Sequence, residues 1–268
     1  LHFYKIDSKG SLVSNVSQYV GDYSMCHDFA ITDTHAVFVL CPAFMRTPFK
    51  FLFGFNSIFE SIEFDQTAKT KVVVLDLATA KLVREYEFDS FFGFHIGNAH
   101  ERGDEISVDV LCVKDMDIMG GLADVFMARG DDFQFLANGA TFNRFTLNLA
   151  TGDASRALVP GSIAGEFPAW NPHYTGRENR YTWLATILEN GTPYGFNAYQ
   201  KIDHQTGELK LHDFGAGRFT SEPNFFPCGD SGREDEGYLI SIVYNHARRK
   251  SEVVILDATD MHKELAVI

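Results

Sequence analysis

One unit recurs four times in the 268 residues: an apolar strand, an Asp or Asn, a small turn, then a second strand. It reads VVVLDLATAKLVREYEF at 72–88, FTLNLATGDASRALV at 145–159, YQKIDHQTGELKLHDF at 199–214 and VVILDATDMHKELAVI at 253–268. The turn residues Ala-Thr-Ala, Ala-Thr-Gly, Gln-Thr-Gly and Ala-Thr-Asp let the chain reverse, so each copy predicts a β-hairpin. Hairpins repeating about every 50 to 75 residues predict propeller blades, which avoid open sheet edges by radial closure. The uneven spacing predicts insertions as loops on one face.

Further β-rich runs fill the intervals: Ala36 to Leu40, Lys71 to Leu77, Glu105 to Cys112, Phe142 to Leu149, Tyr181 to Ile187, Gly237 to Tyr244 and Ser251 to Asp257. Several alternate with period two, as strands do. Met116 to Arg129 is the one stretch with the character of a helical insertion. No composition shift marks a second domain, so the chain is read as one all-β domain over residues 1–268. Its opening LHFYKID has the look of a strand already under way, which predicts a chain that begins inside a domain.

Apolar residues make up 45% of the chain, which is globular and not disordered in character. A formal charge of −13, with no Lys/Arg stripe to bind phosphates, argues against a nucleic-acid partner. Cys26, Cys41, Cys112 and Cys228 lie far apart without a C-x-x-C pair, predicting free thiols. No apolar run reaches the length of a membrane span. The 25 phenylalanines suit either a well-filled core or the walls of a pocket for a flat apolar ligand.

Two histidine segments carry the chemistry, Met25-Cys26-His27-Asp28-Phe29-Ala30-Ile31-Thr32 and Phe94-His95-Ile96-Gly97-Asn98-Ala99-His100-Glu101. In each a His is expected just before a strand, where an imidazole can point toward a propeller axis. Neutral imidazole is a good ligand for ferrous iron, and a structural histidine is the alternative. His35, His173, His204, His212, His246 and His262 stand in turns or on polar faces and are expected at the surface. His100 is expected on the opposite side of the strand from His95, and Glu101 supports the loop beside His95 or is a surface residue. No G-x-S-x-G, Walker loop or H-E-x-x-H is present.

HDFAIT, FHIGNAHE, GEFP at Gly165 to Pro168, SEPNFFP at Ser221 to Pro227 and the following EDEGYLISIVYN occur in the order in which similar segments occur in the carotenoid cleavage oxygenases, and the chain resembles that family over essentially its whole length. The resemblance implies an all-β fold, a seven-bladed β-propeller of which this chain supplies the middle and later blades. It implies Fe(2+) on the axis, held by four histidines of which His27 and His95 match the second and third; the first and fourth would lie outside the chain. It further implies that Glu166 hydrogen-bonds His95 and that Glu222 faces the fourth histidine, a solvated loop position being the alternative for both glutamates.

The implied reaction is cleavage of a conjugated C=C bond of a carotenoid, apocarotenoid or stilbene-type substrate by O2. Two other readings stay open: isomerohydrolysis of a retinoid ester, and a truncated, non-catalytic propeller, since two ligands hold iron poorly. Phe49, Phe51, Phe53 and Phe55 read either as a strand buried on both faces or, by resemblance, as an apolar patch that touches a membrane at the mouth of a substrate tunnel. Location stays open between cytoplasm, membrane periphery and plastid. An unclosed propeller exposes blade faces, which predicts poor stability for the isolated chain.

Overall fold

A computed structural model describes residues 1–21, 24–114, 139–188, 195–229 and 232–268; the expected helical insertion at 116–129 lies outside them. The described residues form four successive antiparallel blades. The first has the order β3 (Phe29–Ile31), β4 (His35–Leu40), β7 (Thr70–Asp76), β8 (Leu82–Phe88). It is preceded by the hairpin β1 (His2–Ile6) and β2 (Leu12–Ser17), and is interrupted by a second hairpin, β5 (Ala43–Met45) and β6 (Ile62–Phe64), which carries the short helix α1 (Pro48–Leu52). The second blade is β9 (Phe92–Arg102), β10 (Glu105–Val113), β11 (Thr141–Asn148) and β12 (Ala154–Leu158). The third is β13 (Gly165–Ala169), β14 (Tyr181–Thr186), β15 (Ala198–Asp203) and β16 (Leu209–Asp213). In the fourth, β17 (Arg218–Thr220) and β18 (Asn224–Pro227) both pair with β19 (Gly237–Asn245), followed by β20 (Lys250–Asp257) and β21 (Glu264–Val267).

The four repeated units are the outer hairpins of the four blades, and one device closes them all. The side chain that ends each inner partner strand accepts a bond from the turn: Asp76 Oδ1 from Thr79 N at 2.7 Å, Asn148 Oδ1 from Thr151 N at 2.8 Å, Asp203 Oδ1 from Gln205 N at 2.9 Å and Asp257 Oδ1 from Thr259 N at 2.9 Å. Such Asx turns explain why a carboxylate or amide recurs there. In the second and third blades the chain then passes through the left-handed region at Gly152 and Gly207, where glycine carries no Cβ penalty.

The core lies between the blades. Val37, Val72 and Val74 of the first blade pack against Val108, Val110 and Phe145 of the second. Leu111 and Phe142 of the second meet Leu184 and Ile202 of the third, and Trp183 and Tyr199 of the third meet Leu239 and Val254 of the fourth. Removing such side chains from water is the main stabilising contribution, roughly 1.5–3 kcal/mol for each large one. The inner strand β9 lies against both β3 and β13, so the inner edges of the first three blades adjoin.

The structure corrects one expectation and removes one alternative. His204 and His212 are buried, not at the surface. Each sits on an outer hairpin that looks solvent-facing within its own blade, but His204 is covered by Arg144 and Asp109 of the second blade and His212 packs on Phe214 beside Glu264 of the fourth. The Phe-rich run is not a buried strand: Pro48 opens α1, Gly54 takes a positive φ after it, and Phe49, Phe51, Phe53 and Phe55 are 72%, 43%, 69% and 78% exposed. Proline at the first helical turn favours that geometry over an extended ladder.

Candidate functional site

His27, His95, Glu166 and Glu222 stand in or beside an inner strand where it is irregular. His27 ends the irregular turn that leads into β3. His95 lies within β9, not ahead of a strand, because pairing to β10 slips between Gly93 and Ile96 and again between Ile96 and Ala99. Glu166 precedes a slip in the β13–β14 pairing that spans Phe167 and Pro168. Glu222 lies in the gap between β17 and β18, next to Pro223, which has no N–H to offer a ladder. Bulges and breaks of this kind re-aim single side chains.

The His27 and His95 rings stand 5.2 Å apart between centroids at an interplanar angle of 89°. His27 stacks on Phe94 at 3.9 Å, and Phe94 meets the edge of His95 at 4.7 Å. His95 Nδ1 lies 2.7 Å from Glu166 Oε2, and both side chains are largely buried. An ionised carboxylate only accepts, so Nδ1 carries the proton and the lone pair on Nε2 stays free. Glu166 Oε2 also accepts from Phe167 N at 3.2 Å. Phe167 has φ +58°, a left-handed conformation costly for a bulky side chain, and its ring lies 4.8 Å from that of His95.

An open cavity of about 380 Å³ adjoins this group, lined by Asp28, Phe29, His95, Phe167, Trp170 and Glu222 among others. The structure thus brings His95 and Glu222 to one cavity and His27 and Glu166 to the same histidine; Glu222 itself is exposed. Phe49, Phe51, Phe53 and Phe55 are not among its lining residues. Among the described residues no three His, Cys, Asp or Glu side chains come together as a metal-holding group. All four cysteines are free, and burial pushes the Cys41 thiol up to about 12, so it is inert.

Three residues without an assigned part at the level of sequence shape the site. Asp28 Oδ2 accepts from Ile96 N at 2.9 Å. Buried Asn98 holds the 174–179 turn beside the cavity, donating to Tyr174 O and Arg177 O at 2.9 and 2.7 Å and accepting from Gly176 N at 3.0 Å. Phe167 is the third. Their adjacency to His27, His95 and Glu166 was the available signal. Glu101 turns away from the cavity and ties β9 to the β3–β4 turn, accepting from Thr32 Oγ1 at 2.8 Å and from His35 Nδ1 at 2.9 Å. His100 lies in a charged setting with Arg144, Glu178 and Asp109, where burial pushes its imidazole down.

A profile of the family described as retinal pigment epithelial membrane protein (RPE65) matches residues 1–268. Apocarotenoid-15,15'-oxygenase of Synechocystis is 26% identical over 97% of this chain and 52% of its own length. Carotenoid 9,10(9',10')-cleavage dioxygenase 1 of Pisum sativum is 32% identical over 97% of this chain and 49% of its own. Lignostilbene-alpha,beta-dioxygenase isozyme III of Sphingomonas paucimobilis is 26% identical over 97% and 54%. The chain spans about half the length of the curated relatives it matches. Among solved structures, that of cobalt-substituted Synechocystis ACO superposes with a TM-score of 0.85 at 24% identity, covering 98% of this chain and 54% of that one. The fold is therefore a portion of the β-propeller of these enzymes.

Proposed function

The chain belongs to the retinal pigment epithelial membrane protein family, and from that membership we propose that it is part of a non-haem Fe(II) dioxygenase that cleaves a conjugated C=C bond of a carotenoid, apocarotenoid or stilbene-type substrate. Both atoms of O2 would end in the two carbonyl products. The observation that carries this reading is the His95 imidazole, fixed through Nδ1 by Glu166 and set at right angles to His27. An imidazole oriented by a carboxylate is the usual state of a metal-bound histidine.

His27 and His95 fit such a metal: two adjacent rings, one with its free nitrogen defined, neither bonded to a carboxylate through both nitrogens. The remaining ligands would come from histidines outside these 268 residues. When bound, ferrous iron supplies a redox centre with open positions for dioxygen. Glu166 holds the proton on His95 Nδ1 and so keeps Nε2 basic. Glu222 would orient a further histidine across the cavity. Phe29, Phe167 and Trp170 give a flat polyene or stilbene apolar walls, place one double bond and exclude water.

The exposed run Phe49, Phe51, Phe53 and Phe55, with Leu52 beside it, would rest on a membrane from which a lipophilic substrate is drawn. No helix among the described residues is long and apolar enough to cross a membrane; the contact proposed is peripheral, in the cytoplasm or a plastid.

The test is aerobic incubation of the full-length protein with β-apocarotenals and with resveratrol, followed by chromatography and oxygen uptake. Two carbonyl products with one O2 consumed per double bond are expected. Retinyl ester turnover without oxygen uptake would replace this reading with isomerohydrolysis, and absence of turnover by an iron-loaded full-length protein would favour a non-catalytic propeller.

A further inference from the structure

We infer that Asp28 is a positioning residue that sets the spacing of the two histidines. It follows His27 directly, and its carboxylate reaches the residue that follows His95: Oδ2 accepts from Ile96 N at 2.9 Å, while Oδ1 accepts from Phe29 N at 2.8 Å. Each oxygen is thus engaged with backbone, the arrangement of a clamp. The inference rests on the reading that His27 and His95 share a metal ion.

Two features make such a clamp necessary. The 25–28 segment has no regular secondary structure of its own, so β pairing does not fix where the His27 ring stands. The β9 ladder slips on both sides of Ile96, so the height of His95 is likewise not fixed by regular pairing at that point. A buried or half-buried backbone N–H must find a partner. Here the partner is supplied from the neighbouring blade, by the residue joined to the other histidine, so one bond satisfies the donor and ties the two rings together. Charge on the acceptor makes the bond stronger than one between neutral groups.

Glu101 provides the internal comparison. It joins the same two blades through Thr32, Thr34 and His35, but away from the cavity. If Asp28 merely held the blades together, the two carboxylates would be equivalent.

The experiment titrates Co(II) into the full-length protein and into its Asp28→Ala, Asp28→Asn, Glu101→Gln, His27→Ala and His95→Ala variants, following visible cobalt absorption, with thermal melts beside it. Asp28→Ala is expected to weaken Co(II) binding about tenfold or more, the range for residues that orient metal ligands, with Asp28→Asn between it and the parent. Asn retains one acceptor oxygen and so rescues part of the clamp. Glu101→Gln is expected to lower the melting temperature and leave affinity within about twofold. Asp28→Ala and Asp28→Asn both binding like the parent, or Glu101→Gln losing as much as Asp28→Ala, overturns the clamp. Where Asp28→Ala fails to fold, Asp28→Asn decides alone, an unchanged affinity overturning the proposal. The underlying site reading fails separately, if His27→Ala and His95→Ala bind cobalt as the parent does.

Discussion

His95 Nδ1 and Glu166 Oε2 stand 2.7 Å apart across the junction of the second and third blades, so the tautomer of one blade's histidine is set by its neighbour's carboxylate. Glu166→Gln keeps the shape but allows the amide to rotate and present its NH2 group. The expected result is a loss of about 10- to 100-fold in Co(II) affinity, with a thermal melt close to that of the parent. Titration of visible cobalt absorption checks it.

Phe167 holds a left-handed backbone conformation while its ring faces His95 and Phe196. Phe167→Ala and Phe167→Gly both lose the ring, but only glycine is free of the Cβ penalty. Phe167→Gly is therefore expected to be more stable than Phe167→Ala by about 1 kcal/mol, read from urea midpoints. The reverse of the usual order between alanine and glycine is the signature of strain at this position.

His204 gives a pH dependence with a definite sign. Burial pushes its imidazole down to about 4, against the pull of Asp109 and Asp203 and with the help of Arg144 and His100. Neutral, it donates from Nε2 to Thr182 Oγ1 at 2.9 Å and faces Arg144 through Nδ1. Between about pH 6.5 and 4 the unfolded chain binds a proton that the folded chain does not, so stability falls as pH falls through that window. The contribution is about 3 kcal/mol, complete above the unfolded value and lost by about pH 4. Urea denaturation at steps from pH 7 to pH 4 measures it, and His204→Gln is expected to flatten the slope. His212 and His100, also pushed down by burial, add in the same direction.

The aromatic run on and just after α1 is expected to act outside the fold. Phe49→Ser, Phe53→Ser and Phe55→Ser combined should change stability by no more than about 0.5 kcal/mol per residue, because these rings are already in water. Cosedimentation with liposomes should fall. Undiminished sedimentation would remove the membrane role.

The parts of the fold that were legible in the sequence are those whose pattern is local. The seven strand runs appear as β4, β7, β10, β11, β14, β19 and β20, and the repeated units as the four outer hairpins, because burial between blades demands continuous apolar runs and the Asx turn demands a short polar side chain. The inner strands were harder to see. β3, β17 and β18 are three or four residues long, and β9 loses its period-two pattern where its pairing slips around His95. Burial of His204 and exposure of the Phe run depend on the neighbouring blade and on Pro48, which residue type alone does not reveal. Ordered motifs singled out His27, His95, Glu166 and Glu222, and the His95–Glu166 bond joins two of them; the Asp28 and Asn98 contacts, made across about 70 to 80 residues of sequence, were not legible.

The central claim is that His27 and His95 hold one metal ion. Anomalous diffraction at the cobalt absorption edge, from crystals of the protein grown with Co(II), tests it directly. The expected result is a single strong peak within coordination distance of a ring nitrogen of His27 and of His95 Nε2, with Glu166 still on His95 Nδ1. A peak bound to neither ring, or separate peaks on each, would contradict it.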